Sequence, residues 1–158
     1  MYKLLIALVF FSTQLAAQTE VTQPEIAQHE ATNWFSDLAA AQAYAAEHDS
    51  TILMVFAGSD WCRPCIQFKQ DILKSEPFEA YANDKLAVLY LDFPARKKNQ
   101  LPAAQVRHNE ALAEQYNKTG AFPKILLIDV AGNILAEPAF SGQTPEVFIG
   151  ELTTIPAQ

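Results

Sequence analysis

Few residues in this chain have types suited to redox or metal chemistry, and two of them sit together. Cys62 and Cys65 are the only cysteines among 158 residues, separated by Arg63 and Pro64. Two thiols at this spacing can close a disulfide, attack one in another molecule, or ligate a soft metal. The three histidines, His29, His48 and His108, are scattered. A structural zinc site takes four ligands, and none of these stands at ligand spacing, so no bound metal is expected. His48 and His108 are expected on solvent-facing helix surfaces and His29 ahead of the fold. A bridge closing so short a loop constrains the unfolded chain little. Stapling is therefore a poor explanation for the pair, and chemistry is the better one.

The neighbouring sequence must position these thiols. Thr51 to Ala57 is a continuous apolar run, rich in β-branched and aromatic residues, between Asp49-Ser50 and Gly58-Ser59. Its length and flanks predict a buried central strand. After a short turn, Cys65, Phe68 and Ile72 fall at i, i+3 and i+7, with Ile66 and Leu73 as a second row. This predicts an amphipathic helix through Lys74 with the cysteines at its N-terminus. Pro64 suits the first turn, where a missing N–H costs nothing. Unpaired backbone N–H groups and the helix dipole there favour a thiolate at Cys62, and Arg63 adds charge of the same sense. Cys65, one turn on, should point inward beside Phe68. One sulfur is thus placed to attack and the other to resolve. If these charges stabilise the reduced form by ~0.8 kcal/mol, the potential rises by only ~18 mV, against ~150 mV between strongly reducing and strongly oxidising dithiol proteins. A reductase- or isomerase-like potential is expected.

Around that unit, Ser36 looks like an N-cap, with Asp37 in the first turn of an alanine-rich helix to about Glu47. Residues 76–83 suggest a short helical turn, and Leu86 to Leu91 a strand. Asp92 to Leu101 forms a loop whose cluster Arg96-Lys97-Lys98 is expected to be simply solvated. A helix from Pro102 to about Asn117, strands over Lys124–Val130 and Ile134–Glu137 joined by Ala131-Gly132-Asn133, and a last helix from Thr144-Pro145-Glu146 through Leu152 complete the chain. The order α-β-α-β-α-β-β-α predicts an α/β fold with a central mixed sheet flanked by helices.

The ends and the charge bound the function. Lys3, the apolar run Leu4 to Phe11 and the small residues ending at Ala17 have the pattern of a secretory signal peptide, with cleavage expected after Ala17. The run is shorter than the ~20 residues of a bilayer span, so no stable membrane span is expected after cleavage. Residues 1–17 are assigned as signal, 18–32 as a polar mobile leader, and 33–158 as one domain. The net charge of −7 argues against a nucleic-acid partner, which needs a basic face. The location is expected to be secreted or periplasmic, and the protein monomeric.

The segments Ile52-Leu53-Met54-Val55-Phe56-Ala57, Ser59-Asp60-Trp61-Cys62-Arg63-Pro64-Cys65 and Gly120-Ala121-Phe122-Pro123-Lys124-Ile125-Leu126-Leu127-Ile128-Asp129 resemble the thioredoxin family over about residues 33–155. The likeness looks closest to secreted bacterial disulfide reductases or isomerases. The resemblance implies a thioredoxin-like fold, catalytic Cys62 and Cys65 forming a redox-active disulfide, and a motif tuned by Arg63 and Pro64. It also implies a cis Pro123 against the cysteine pair. Backbone pairing of Phe122 with an extended substrate is implied too, with Trp61 and Phe122 as an apolar rim; plain core packing is an equal alternative for Phe122. No cofactor is implied, but secreted protein thiols or disulfides and a redox partner are. One departure stands out. Many thioredoxins carry a buried acid six residues before the first cysteine, and here that position is Phe56, so the usual proton acceptor for Cys65 is missing. Asp60 is expected to be a solvated turn residue. The leading expectation is thiol–disulfide exchange on secreted proteins. The alternative is a thioredoxin-fold binding module or copper(I) carrier without turnover.

Overall fold

The computed structural model describes residues 33–155; the expected signal peptide and leader lie outside them, as do residues 156–158. The strands are β1 (Trp34–Phe35), β2 (Thr51–Ala57), β3 (Leu86–Asp92), β4 (Lys124–Ile128) and β5 (Ile134–Ala136). The helices are α1 (Leu38–His48), α2 (Arg63–Phe68), α3 (Glu76–Lys85), α4 (Ala103–Tyr116) and α5 (Pro145–Thr153). The strands form one mixed sheet in the order β1-β3-β2-β4-β5. β1, β3 and β2 run parallel, while β4 is antiparallel to both β2 and β5.

β2 occupies the centre, as its unbroken apolar run requires, and six of its seven residues are buried. Alternate side chains leave opposite faces of a strand. Leu53, Val55 and Ala57 therefore join a core with Cys62, Cys65, Phe68, Phe78 and Phe148. Ile52, Met54 and Phe56 join another with Ala41, Ala45 and Leu112. The molecule is thus three layers: α2, α3 and α5 on one face, α1 and α4 on the other. Among the described residues no helix is long and apolar enough to cross a membrane.

Several boundaries differ from the sequence expectation, each for a local reason. The cap of α1 is Asp37, not Ser36: Asp37 is extended and its carboxylate accepts the Ala40 N–H at 2.9 Å. Trp34–Phe35 forms a short edge strand too brief to show a pattern. The helical turn expected at 76–83 is a full ten-residue helix, capped by Ser75 accepting from the Phe78 N–H. β4 stops at Ile128 rather than Val130 because the Asp129 carboxylate accepts both the Asn133 N–H and its side-chain amide, starting the turn early. The helix carrying the cysteines begins at Arg63, and its last five residues, Lys69–Leu73, form a π-helical turn. That wider turn rotates Leu73 into the core while Ile66 stays exposed, so the expected second apolar row is split. His48 is exposed and stacks on Tyr44 at 3.9 Å. His108 is partly buried, with Nδ1 3.8 Å from Asp37, rather than solvent-facing.

Candidate active site

The end of β2 delivers the chain into a tight turn, fastened residue by residue. The Cys62 N–H donates to the Gly58 carbonyl at 3.0 Å. Gly58 lies flat under the Trp61 ring, where a Cβ would come within 2.3 Å of the indole; only glycine lets that ring settle. Ser59 donates its N–H and its hydroxyl to the two carboxylate oxygens of Asp92, at 2.9 and 2.6 Å. Asp60 accepts the N–H groups of Ala95 and Arg96 and the Asn99 amide, at 2.9, 3.0 and 2.8 Å. The Ala95 bond foremost holds the Asp60 carboxyl below the usual carboxylate range. Asp60 is therefore a solvent-accessible turn residue, as expected from sequence, that also clamps the loop after β3.

Cys62 is the N-cap of α2, with extended backbone, and its sulfur accepts the Cys65 N–H at 3.2 Å. The two sulfurs form a disulfide with Cα atoms 5.2 Å apart. Cys62 is 5% exposed and Cys65 1%. The outer sulfur thus lies nearer solvent and against free helix N–H groups, which favour its anionic form. Arg63 and Pro64, in the first turn, are exposed.

Trp61 is 50% exposed and donates its indole N–H to the Phe93 carbonyl at 2.7 Å. Its ring meets Phe122 edge-on with centroids 5.3 Å apart, and Phe122 meets Phe93 in the same way at 5.3 Å. Phe122 also packs against both cores, so the rim and the packing alternatives hold together for it. The contact brings the residue before Pro123 against the residue before Cys62, and the Phe122–Pro123 peptide is cis. That loop is held by Asn117, a buried side chain that sequence reasoning passed over. Its amide donates to the Ala121 carbonyl at 2.9 Å and its oxygen accepts the Ala121 N–H at 3.1 Å. Gly120 enters with φ of 65°, a conformation glycine adopts freely.

The residue six before Cys62, Phe56, is apolar as the sequence shows and points into the core on the far face, while the β2 residues on the cysteine side are Leu53, Val55 and Ala57. All are apolar, so β2 places no acid beneath Cys65. The polar groups on the cysteine side come from elsewhere. Val55 pairs with Tyr90 and Ala57 with Asp92 in register, and Lys69, one turn after Cys65, lies 4.2 Å over the Tyr90 ring. Burial lowers the Lys69 pKa, opposed by the charge of Asp92. Burial, then Asp92, pushes Tyr90 up to about 12. A sequence signal for this group was absent: Asp92 read as the start of a loop, Tyr90 lay within a strand, and Lys69 lay within the expected helix.

A thioredoxin-like family model matches residues 33–129. The chain is 37% identical over 102 residues to the disulfide bond reductase DsbH of Chlamydia pneumoniae, covering 65% of this chain and 60% of that protein. The match therefore spans less than two thirds of that relative's length. A solved structure of a DsbH oxidoreductase superposes with a TM-score of 0.70 at 30% identity, covering 76% of this chain and 81% of that one. A thioredoxin from Thermus thermophilus shares the fold at 18% identity and a TM-score of 0.57, covering 77% of this chain and 84% of that one. With its matched span, its sheet order and its disulfide at the head of a helix, the chain belongs to the thioredoxin-like family.

Proposed function

We propose that this protein is an exported thiol–disulfide oxidoreductase that acts as a reductase on secreted or periplasmic proteins. The observation that carries this reading is the placement of the pair: Cys62 at the helix cap, its sulfur accepting the Cys65 N–H, and Cys65 buried behind it. The reductase direction is supported by the likeness to a protein called a disulfide bond reductase. Export rests on the N-terminal pattern ending at Ala17.

In the reduced protein the Cys62 thiolate attacks one sulfur of a client disulfide. A mixed disulfide forms, the client S–S bond breaks, and the departing client thiolate takes up a proton. Cys65 then loses its proton and attacks the Cys62 sulfur, releasing the second client thiol. Two electrons pass to the client, and the Cys62–Cys65 disulfide forms. A dithiol reductant must return two electrons to restart the cycle. Arg63 and the helix end favour the attacking thiolate, Pro64 starts the helix without a lost hydrogen bond, and Trp61, Phe122 and Pro123 form the surface on which an extended client lies.

Trapping tests the reading. Cys65→Ser should accumulate mixed disulfides with exported proteins on non-reducing gels, while Cys62→Ser traps almost none. Equal trapping by the two variants would reverse or remove the assigned roles.

A further inference from the structure

The cations near the cysteines are gathered rather than scattered. Arg63 stands between the two cysteines, and Arg96, Lys97 and Lys98 follow one another on the loop after β3; all four are exposed. Among the described residues, none of the four is in an ion pair. The sequence alone reads that loop as a solvated charge run, yet its hydrogen bonds tie it to the redox turn. Asp60, two residues before Cys62, accepts the N–H groups of Ala95 and Arg96 and the Asn99 amide. Trp61 donates to the Phe93 carbonyl at the loop's start. Lys97–Asn99 form a 3-10 turn that stiffens it. Asp60 accepts from two backbone N–H groups and the Asn99 amide, and although the Arg96 charge acts on it, it forms no ion pair with the loop's basic side chains. Four cations against the two carboxylates at the turn, Asp60 and Asp92, make a net positive face beside the cysteines, in a chain whose net charge is −7.

We propose that this tethered loop, with Arg63, makes the site selective for acidic clients: disulfides flanked by Asp or Glu. The inference rests on the oxidoreductase reading and names its substrate class. The apolar rim of Trp61 and Phe122 grips any extended segment, so it discriminates little. Opposite charge at the rim does discriminate, chiefly through the rate of encounter and its dependence on salt. With a net charge of −7 the chain as a whole repels an acidic client, which is held best where these cations gather beside the thiol.

The test uses the reduced protein and three disulfides. Two are synthetic peptides with one internal disulfide, identical except for flanking Glu or flanking Lys; the third is uncharged 2-hydroxyethyl disulfide. The Glu peptide should react about tenfold faster than the Lys peptide at low salt, and the gap should close in 0.5 M salt as screening shortens to a few ångströms (~4 Å). Lys97→Glu with Lys98→Glu should erase or invert the preference, and Lys97→Gln with Lys98→Gln should reduce it. Lys74→Glu with Arg107→Glu, the same change in net charge elsewhere, should keep it. Each variant's two peptide rates are divided by its own rate toward 2-hydroxyethyl disulfide, which removes any change in thiolate reactivity. Equal peptide rates, a faster Lys peptide, or equal loss of preference in the control pair would overturn the proposal while leaving the oxidoreductase reading intact. No reaction with 2-hydroxyethyl disulfide would overturn that reading and this inference with it.

Discussion

Beneath α1 and α4 the sheet presents Ile52, Met54, Phe56, Leu89 and Leu126 to the alanines of α1 and to Leu112. Beneath α2, α3 and α5 the same strands present Leu53, Val55, Val88 and Ile125, and there both cysteines are packed in. The first face is apolar throughout its core; the nearby buried polar side chain, Asn109, is satisfied by the Asp92 carbonyl and the Gln105 amide. The second face is equally apolar in its middle but changes character where β2 and β3 end, with Lys69, Tyr90 and Asp92 beside the redox turn. The contrast shows where chemistry was fitted: at the strand ends, where the chain leaves the sheet, without opening the core behind it.

The comparison breaks most visibly if the apolar face matters to the chemistry. Phe56→Ala should cost ~3–5 kcal/mol of stability, as a buried phenylalanine does when truncated. Disulfide exchange per folded molecule should stay unchanged. Denaturant melts and turnover measured on the same samples check this, and lost turnover in a fully folded variant would contradict the division of labour.

The loop before Pro123 belongs to the site end, so its support should couple stability to activity. Asn117→Ala strips Ala121 of its side-chain partners and should cost ~1–3 kcal/mol, with slower reduction of peptide disulfides and an unaltered rate toward 2-hydroxyethyl disulfide. A stability loss without any kinetic change would place Asn117 in the scaffold alone.

Alkaline titration sharpens the same contrast. Burial pushes the Tyr90 phenol up to about 12, above the ordinary 10.0 of tyrosine. Between those values the folded state holds a proton that the unfolded state has released, so stability falls as pH rises from about 10 to about 12. Since Tyr90 is partly exposed, screening trims the effect to about 1 kcal/mol. Tyr90→Phe should flatten this part of the stability–pH curve relative to the parent. An identical slope in both proteins would mean that the phenol is not held neutral by its surroundings.

The smallest effect belongs to Arg63. One charge near a helix end is worth up to ~1 kcal/mol, which is ~20 mV for a two-electron couple. Arg63→Gly should lower the measured potential by no more than that in a glutathione buffer. A fall of most of the ~150 mV that separates a reducing thioredoxin from the strongest periplasmic oxidant would show that Arg63 governs more than local charge.

Much of this architecture was legible from local pattern. The apolar run of β2, the proline and cysteines opening α2, and the Gly120–Pro123 approach to β4 each carry their signal within a few residues. What escaped depends on partners far along the chain. Asp60 and the loop at Ala95–Asn99 are 35 to 39 residues apart, and Ser59 and Asp92 are 33 apart; composition at either end says nothing of the other. Phe56 illustrates a different limit. Counting back from Cys62 shows that the acid is missing, but only strand alternation shows that Phe56 faces the other core and that Val55 and Ala57 share the cysteine side. The π-helical turn was invisible for a related reason, because a 3.6-residue period fits Ile66 to Leu73 until the helix widens.

The sheet's margins have a consequence for handling partly unfolded clients. β1 contributes two residues and β5 three, so each border offers only a few open ladder groups. Long bare borders invite extended chains to zip on and copies to stack. An oxidoreductase of the kind proposed above would meet extended polypeptides, and so would be exposed to that hazard more than most. With edge strands this short, a client strand of the proposed reaction would find little to hold along the flanks, and would reside instead at the end of the molecule that carries the cysteines.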